Sequence, residues 1–338
     1  MFAKNARRFN GTYLSILDLV PITEGSNATT ALKNSVELAK HVDEWGYNRY
    51  WVAEHHNMPG IASSATSIII GLIASETTHI RVGSGGVMLP NHAPLIIAEQ
   101  FGTLDALYPG RIDLGLGRAP GTDHATAHAI RRDLKSTAND FPEHLAELET
   151  YFTERPNALV RAIPGEGANV DIWLLGSSGF SAQLAGFKGL PFSFASHFAP
   201  DFTLQALELY RNQFTPSQVL DHPYAMVGLN VIAADTDEEA ELLATSLKLQ
   251  FLSLNRGTPG KLQPPVDNIE DYWHPYEKEA IERTLDSRST IVGGPEKVKR
   301  ELKAFIERTN AEELIIRSSI YDQQAKIHSY RIIAEMME

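Results

Sequence analysis

Arg118 stands in the stretch RIDLGLGRAPGTD, with glycines at 115, 117 and 121 that leave the backbone open to close approach. A guanidinium placed there can fork onto phosphate oxygens, because its planar donors match their geometry. A structural ion pair with a neighbouring carboxylate fits the same spacing. Further along, GSSGFSAQLA runs from an apolar segment straight into helical sequence. Its backbone N–H groups and the hydroxyls of Ser177, Ser178 and Ser181 would form an anion site at a helix N-terminus, although serine is also an ordinary N-cap. Together the two stretches point to one anionic group more strongly than either does alone. No dinucleotide fingerprint is present: the last glycine of G-x-G-x-x-x-G is misplaced, and Pro120 interrupts the helix start.

Gly85 and Gly86, in GSGGVMLP, interrupt an otherwise strong strand. Glycine there marks a bulge or the close approach of a flat ligand, and a tight barrel corner would use it too. Glu54, His55 and His56 follow another apolar segment. Successive strand residues face opposite sides, so these three can share a site only if the strand has ended before them. A metal could be held by His55 or His56 with His92 and Glu54, or by the H-x-x-x-H pair His124 and His128 beside Asp123. No spacing enforces either set and no third ligand is evident for the pair. The expectation is therefore no metal site, with buried hydrogen-bonded histidines instead.

These residues need elements to position them. Near-continuous apolar runs at 14–20, 49–54, 80–88, 112–117, 171–175, 192–196, 225–234 and 313–320 read as parallel strands buried on both faces. Helical stretches follow each of them: one capped by Thr29 or Thr30 and running to Trp45, then 64–76, 94–108, 141–152, 181–188, 201–213, one capped by Asp235 or Thr236, and a closing helix, with 295–309 leading into the last strand. Eight βα units predict an α/β fold, a closed (β/α)8 TIM barrel over residues 1–338 as one domain, rather than an open doubly wound sheet. Two insertions depart from the alternation: roughly 118–140 after strand four, long enough to read as functional, and 252–289 after strand seven, rich in Pro, Gly and Asn. Every motif above falls in a loop after a strand, which in such a barrel is the face that carries chemistry.

Composition is that of an ordinary soluble globular protein with enough hydrophobe for a large core: 43% of the 338 residues are apolar and 21% charged. The net charge of −12 opposes nonspecific binding to nucleic acid or an anionic membrane. No cysteine is present, which removes disulfides, thiolate catalysis and cysteine-bound metals. The N-terminus lacks a signal-peptide pattern and reads as a short mobile start, and no apolar run is long enough to span a bilayer. A cytoplasmic location is expected.

EHHNMPG, VGSGGVMLP, AEQFGTLDALYPGRIDLGLGRAPGTD, LLGSSGFSAQLA and GLPFSFASHFAP occur in one order and resemble the luciferase-like flavin monooxygenases, in particular their single-chain alkanal-monooxygenase-like branch. The resemblance covers essentially the whole chain and is dense between residues 50 and 200. It implies reduced FMN bound at the C-terminal face of the barrel, with Arg118, Ser177, Ser178 and Ser181 on the phosphate. Gly85-Gly86 matches a non-proline cis peptide under the isoalloxazine, and His55 matches a histidine associated with flavin chemistry. That role suits a side chain titrating near neutrality. Two positions depart from bacterial luciferase: Gly117 replaces a reactive cysteine, and Ala93, next to His92, replaces a second histidine. Light emission and long-chain aldehydes are thereby placed in doubt.

The implied reaction is oxygenation of a small organic substrate by reduced FMN and O2, with a separate flavin reductase because no NAD(P)H fingerprint is visible. The resemblance implies a homodimer, for which the apolar SATSIIIGLIA helix could serve, and the same face fits packing wholly against its own barrel. The alternatives are an oxidoreductase using coenzyme F420, for whose longer acidic tail Arg131 and Arg132 are the clustered basic candidates, and a flavin-binding protein without turnover.

Overall fold

The computed structural model describes residues 1–118, 124–130, 140–286 and 288–338. In chain order the first half comprises β1 (Arg8–Phe9), β2 (Thr12–Asp18), α1 (Ala28–Glu44), β3 (Arg49–Val52), α2 (Thr66–Glu76), β4 (Arg81–Met88), α3 (Pro94–Leu107), β5 (Ile112–Gly117), α4 (His124–Ile130) and α5 (Phe141–Phe152). The second half comprises β6 (Asp171–Gly176), α6 (Gly179–Lys188), β7 (Phe192–Phe194), α7 (Thr203–Gln213), β8 (Ala225–Ala233), α8 (Asp237–Asn255), α9 (Pro275–Thr284), β9 (Thr290–Gly293), α10 (Pro295–Thr309), β10 (Glu313–Arg317) and α11 (Gln323–Ala334).

Strands β2, β3, β4, β5, β6, β7, β8 and β10 pair in parallel in that order, and β2 pairs with both β3 and β10, so the sheet closes into a (β/α)8 TIM barrel. Side chains alternate across the strands. Tyr50, Val52, Leu314 and Ile316 pack outward into the layer between strands and helices. Trp51 and Ile315 point inward and join Leu17, Trp173 and Met226 in a separate cluster inside the barrel. Period-two patterning with apolar residues on both faces is what closure demands.

Several boundaries differ from the sequence reading. The cap of α1 is Asn27, whose side chain accepts from the Thr30 N–H at 3.0 Å, and Thr236 caps α8 as expected. The N-terminus is anchored rather than mobile: β1 pairs antiparallel with β2, and Arg49 Nη2 donates to the Met1 carbonyl at 2.8 Å. Helix α8 runs on to Asn255, into the segment read as irregular, and α9 and β9 lie beyond it. The Pro- and Gly-rich composition of 252–289 concealed a regular helix, and directly after that stretch a short strand pairs with the C-terminal half of β8. The described part of the earlier insertion includes α4.

Candidate active site

A cavity of about 630 Å³ opens at the C-terminal end of the barrel, within the usual range of roughly 300–1,000 Å³ for cofactor and ligand pockets. The seven residues that the resemblance assigns to flavin binding or flavin chemistry line it: His55, Gly85, Gly86, Arg118, Ser177, Ser178 and Ser181. Leu17 and Trp51 lie at its base, and Trp51 meets Trp173 edge to face at 5.2 Å. The cover comes from α8 through Leu249, Phe251 and Leu254, and from the following segment through Pro259, Lys261 and Thr284. Isolated bridges between Pro21 and Ile61 and between Thr23 and Leu262 tie the loops around this mouth.

One wall is built for an anion. Arg118 follows β5, stacks on the Phe180 ring at 4.2 Å, and has no carboxylate partner among the described residues. Helix α6 begins beside it. Its N-cap, Ser178, extends without capping the helix through its side chain, so the first N–H groups of α6 remain open. The hydroxyls of Ser177, Ser178 and Ser181 make no hydrogen bond within the protein among the described residues, and Ser181 is buried. A free guanidinium, open helix N–H groups and free hydroxyls fit a phosphate.

The adjoining wall includes two residues without side chains, Gly85 and Gly86. The Gly85-Gly86 peptide is cis, and the β4–β5 register shifts there. A Cβ on Gly86 would collide with Leu175 Cδ1 and lie 2.7 Å from the Gly115 carbonyl oxygen, so no side chain fits. The ring of a flavin can lie on such a surface.

The histidines separate by role. Strand β3 ends at Val52, so Glu54 and His55 can both face the cavity. His92 Nε2 lies 3.0 Å and His56 Nε2 2.9 Å from the buried Glu54 carboxylate, which also accepts from the Met88 N–H at 3.1 Å. Burial opposes the Glu54 charge, but these hydrogen bonds outweigh it and hold the carboxyl below its usual range. His55 is different: its Nδ1 is buried without a partner, and desolvation, reinforced by the Arg317 charge, pushes its pKa down to about 4. Titration near neutrality is thus not what its surroundings produce. His55 is a neutral imidazole at pH 7.

Two residues that the sequence reading did not single out also face the cavity. His197 follows β7, its Nδ1 lacks a partner, and desolvation with the Arg317 and His55 charges pushes it down to about 3. Gly228 makes room for it, since a Cβ there would collide with His197 Nδ1. Arg317 ends β10, with a partnerless Nε and Nη2 donating to the Gln250 side chain. A lone arginine at the end of the apolar run ELIIR was the available signal.

The luciferase-like monooxygenase family model matches residues 13–312. The chain belongs to the luciferase-like monooxygenase family. It is 51% identical over 325 residues, 96% of each chain, to a protein named luciferase-like monooxygenase of Escherichia coli (strain K12). It is 34% identical to N-acetyl-S-alkylcysteine monooxygenase of Bacillus subtilis (strain 168), covering 95% of this chain and 97% of that one. Among solved structures, apo-MsnO8 superposes with a TM-score of 0.90 at 36% identity, over 96% and 98% of the two chains. The fold is shared at a TM-score of 0.69 with an FMN complex of the oxygenating constituent of 3,6-diketocamphane monooxygenase (18% identity) and with an F420-dependent secondary alcohol dehydrogenase (14% identity). Each of those covers 96% of this chain and 98% of its own.

In this family member no group of three or more potential metal ligands occurs among the described residues. Asp123, Arg131, Arg132 and the His124 side chain lie outside the described residues. No helix among the described residues is long and apolar enough to cross a membrane.

Proposed function

We propose that this luciferase-like monooxygenase uses reduced FMN and O2 to oxygenate a small organic substrate, and that a separate flavin reductase supplies the reduced cofactor. The observation that carries the reading is the cation–helix arrangement of Arg118, the open N-terminus of α6 and three free serine hydroxyls at one end of a cavity with a glycine floor. Bound reduced FMN would supply two electrons for activation of O2, with one oxygen atom going to the substrate and the other leaving as water.

The protein's own contributions follow from the geometry. Arg118 with Ser177, Ser178 and Ser181 would hold the phosphate and so set the register of the flavin. Gly85 and Gly86 would let its ring approach the barrel floor. His55, neutral at pH 7, would offer one ring nitrogen to a hydrogen bond at the reacting edge rather than act as an imidazolium acid. Phe251 and Leu254 of α8, above the cavity, would exclude water. Ile68 and Leu72 on α2 remain exposed, which suits the homodimer face expected of the SATSIIIGLIA helix.

The test supplies photoreduced FMN and 18O2 to the protein with a panel of aldehydes, ketones and N-acetyl-S-alkylcysteines, the last suggested by the relative's name. Mass spectrometry should find one labelled oxygen in a product. Hydride transfer from reduced coenzyme F420 without oxygen incorporation, or FMN binding without turnover on any of the panel, would contradict the reading.

A further inference from the structure

The flavin phosphate accounts for one cation at the barrel mouth and leaves another unexplained. Arg317 ends β10, four strands around the ring from β5, so it faces Arg118 across the mouth. Its side chain is buried, its Nε has no hydrogen-bond partner, and it forms no ion pair among the described residues. Nη2 reaches only the Gln250 side-chain carbonyl, and the Phe251 ring lies 6.0 Å from the guanidinium. Desolvation lowers its pKa to about 10, which still leaves it charged at pH 7. An unpaired buried charge is expensive and in a folded protein normally has a counter-ion. His55 and His197 line the same cavity, each with a buried Nδ1 that has no partner, and both feel the Arg317 charge.

We propose that Arg317, with Gln250, His55 and His197 around it, receives a carboxylate carried by the substrate. The remainder of that substrate is apolar, because Met58, Ile61, Phe198 and Leu249 line the space beside this cluster. The guanidinium supplies a forked pair of donors, and the imidazoles, in the tautomers that put N–H toward the ligand, add neutral ones. Calling the bound acid a substrate rests on the monooxygenase reading above; the anion site itself does not. The site determines specificity: a neutral aldehyde or ketone of the same shape would leave the Arg317 charge unpaired and be disfavoured.

Hexanoate and hexanamide are the probes, close in shape and different in charge. Calorimetric titration of the full chain should show hexanoate binding at least tenfold tighter than hexanamide. Arg317→Met should abolish the preference, Arg317→Lys should retain part of it, and Arg118→Ala should leave it intact. If Arg317→Met fails to fold, Arg317→Gln takes its place, and the wild-type preference stands as a test by itself. FMN titration of the same variants separates the two readings, since Arg317→Met should shift FMN affinity by less than about twofold.

Equal affinity for the acid and the amide in the wild type, no detectable hexanoate binding, or a preference that survives loss of Arg317 would overturn the proposal. So would a collapse of FMN affinity in Arg317→Met but not in Arg118→Ala, which would make the flavin itself the occupant. A wild type that prefers hexanoate yet binds no FMN would refute the flavin reading and uphold the anion site.

Discussion

The two ends of the barrel interior treat buried charge in opposite ways. At the N-terminal end, Arg49 reaches Asp113 at 2.8 Å and Glu313 at 3.0 Å, while Arg81 reaches Asp113 at 2.6 Å and Asp171 at 2.7 Å. Trp51 Nε1 donates to Asp113, and Asn48 and Tyr224 donate to Glu313. Burial opposes ionisation of Asp113, yet the two arginines outweigh it and keep its carboxyl below the usual range. At the C-terminal end, Arg317, His55 and His197 line a cavity, and each keeps a buried nitrogen without a partner. Strand β10 carries both solutions on one inward face, Glu313 at the bottom and Arg317 at the top. Compensated charge makes a rigid plug. Uncompensated charge makes a binding site, because only a ligand completes it.

The comparison is open to attack by mutation, and the largest effect belongs to the plug. Asp113→Ala strands two buried arginines and should destabilise the fold by about 3–5 kcal/mol, measured by urea unfolding. A loss below about 1 kcal/mol would mean the network is not load-sharing. An intermediate effect comes from pH. His55 and His197 titrate at about 4 and 3 in the folded chain, against about 6.5 unfolded. The unfolded state therefore takes up protons first as pH falls below about 6.5, and stability drops in that window rather than rising. Between pH 7 and 5 the drop should be on the order of 2 kcal/mol for each of the two histidines. A His55→Asn/His197→Asn double variant should flatten it; an unchanged slope would place the titration elsewhere.

The smallest effect sharpens the contrast most. Arg317→Met removes an unpaired charge instead of breaking a pair, so stability should stay level or rise by about 1 kcal/mol. A loss comparable to that of Asp113→Ala would show that Arg317 has a structural partner after all.

Much of the barrel was legible in the sequence because parallel strands buried on both faces are continuous apolar runs, and glycine, proline or a cap ends each one. Arg118, the serines at the start of α6 and the Gly85-Gly86 pair were legible for a local reason: each sits between a strand and a helix, where the barrel rule alone sends it to the active face. His197 and Arg317 were not, because their meaning depends on closure. Only when β10 pairs with β2 and α8 crosses the mouth do Arg317, His55 and Gln250 meet. The plug was hidden for the same reason, since Arg49 and Glu313 stand 264 positions apart. Helix α9 and strand β9 were masked by the proline, glycine and asparagine around them, and β1 by having only two residues.

The central claim is that the wall formed by Arg118 and the start of α6 holds the phosphate of a reduced flavin. Anaerobic titration with photoreduced FMN and, separately, photoreduced riboflavin tests it directly, because the two differ only in that phosphate. Wild type should bind the FMN form about 10–100-fold more tightly, as expected for charge-assisted hydrogen bonds worth about 1.5–3 kcal/mol. Arg118→Ala should lose most of that advantage. Equal affinity for the two flavins in the wild type, or an advantage untouched by Arg118→Ala, would contradict the account.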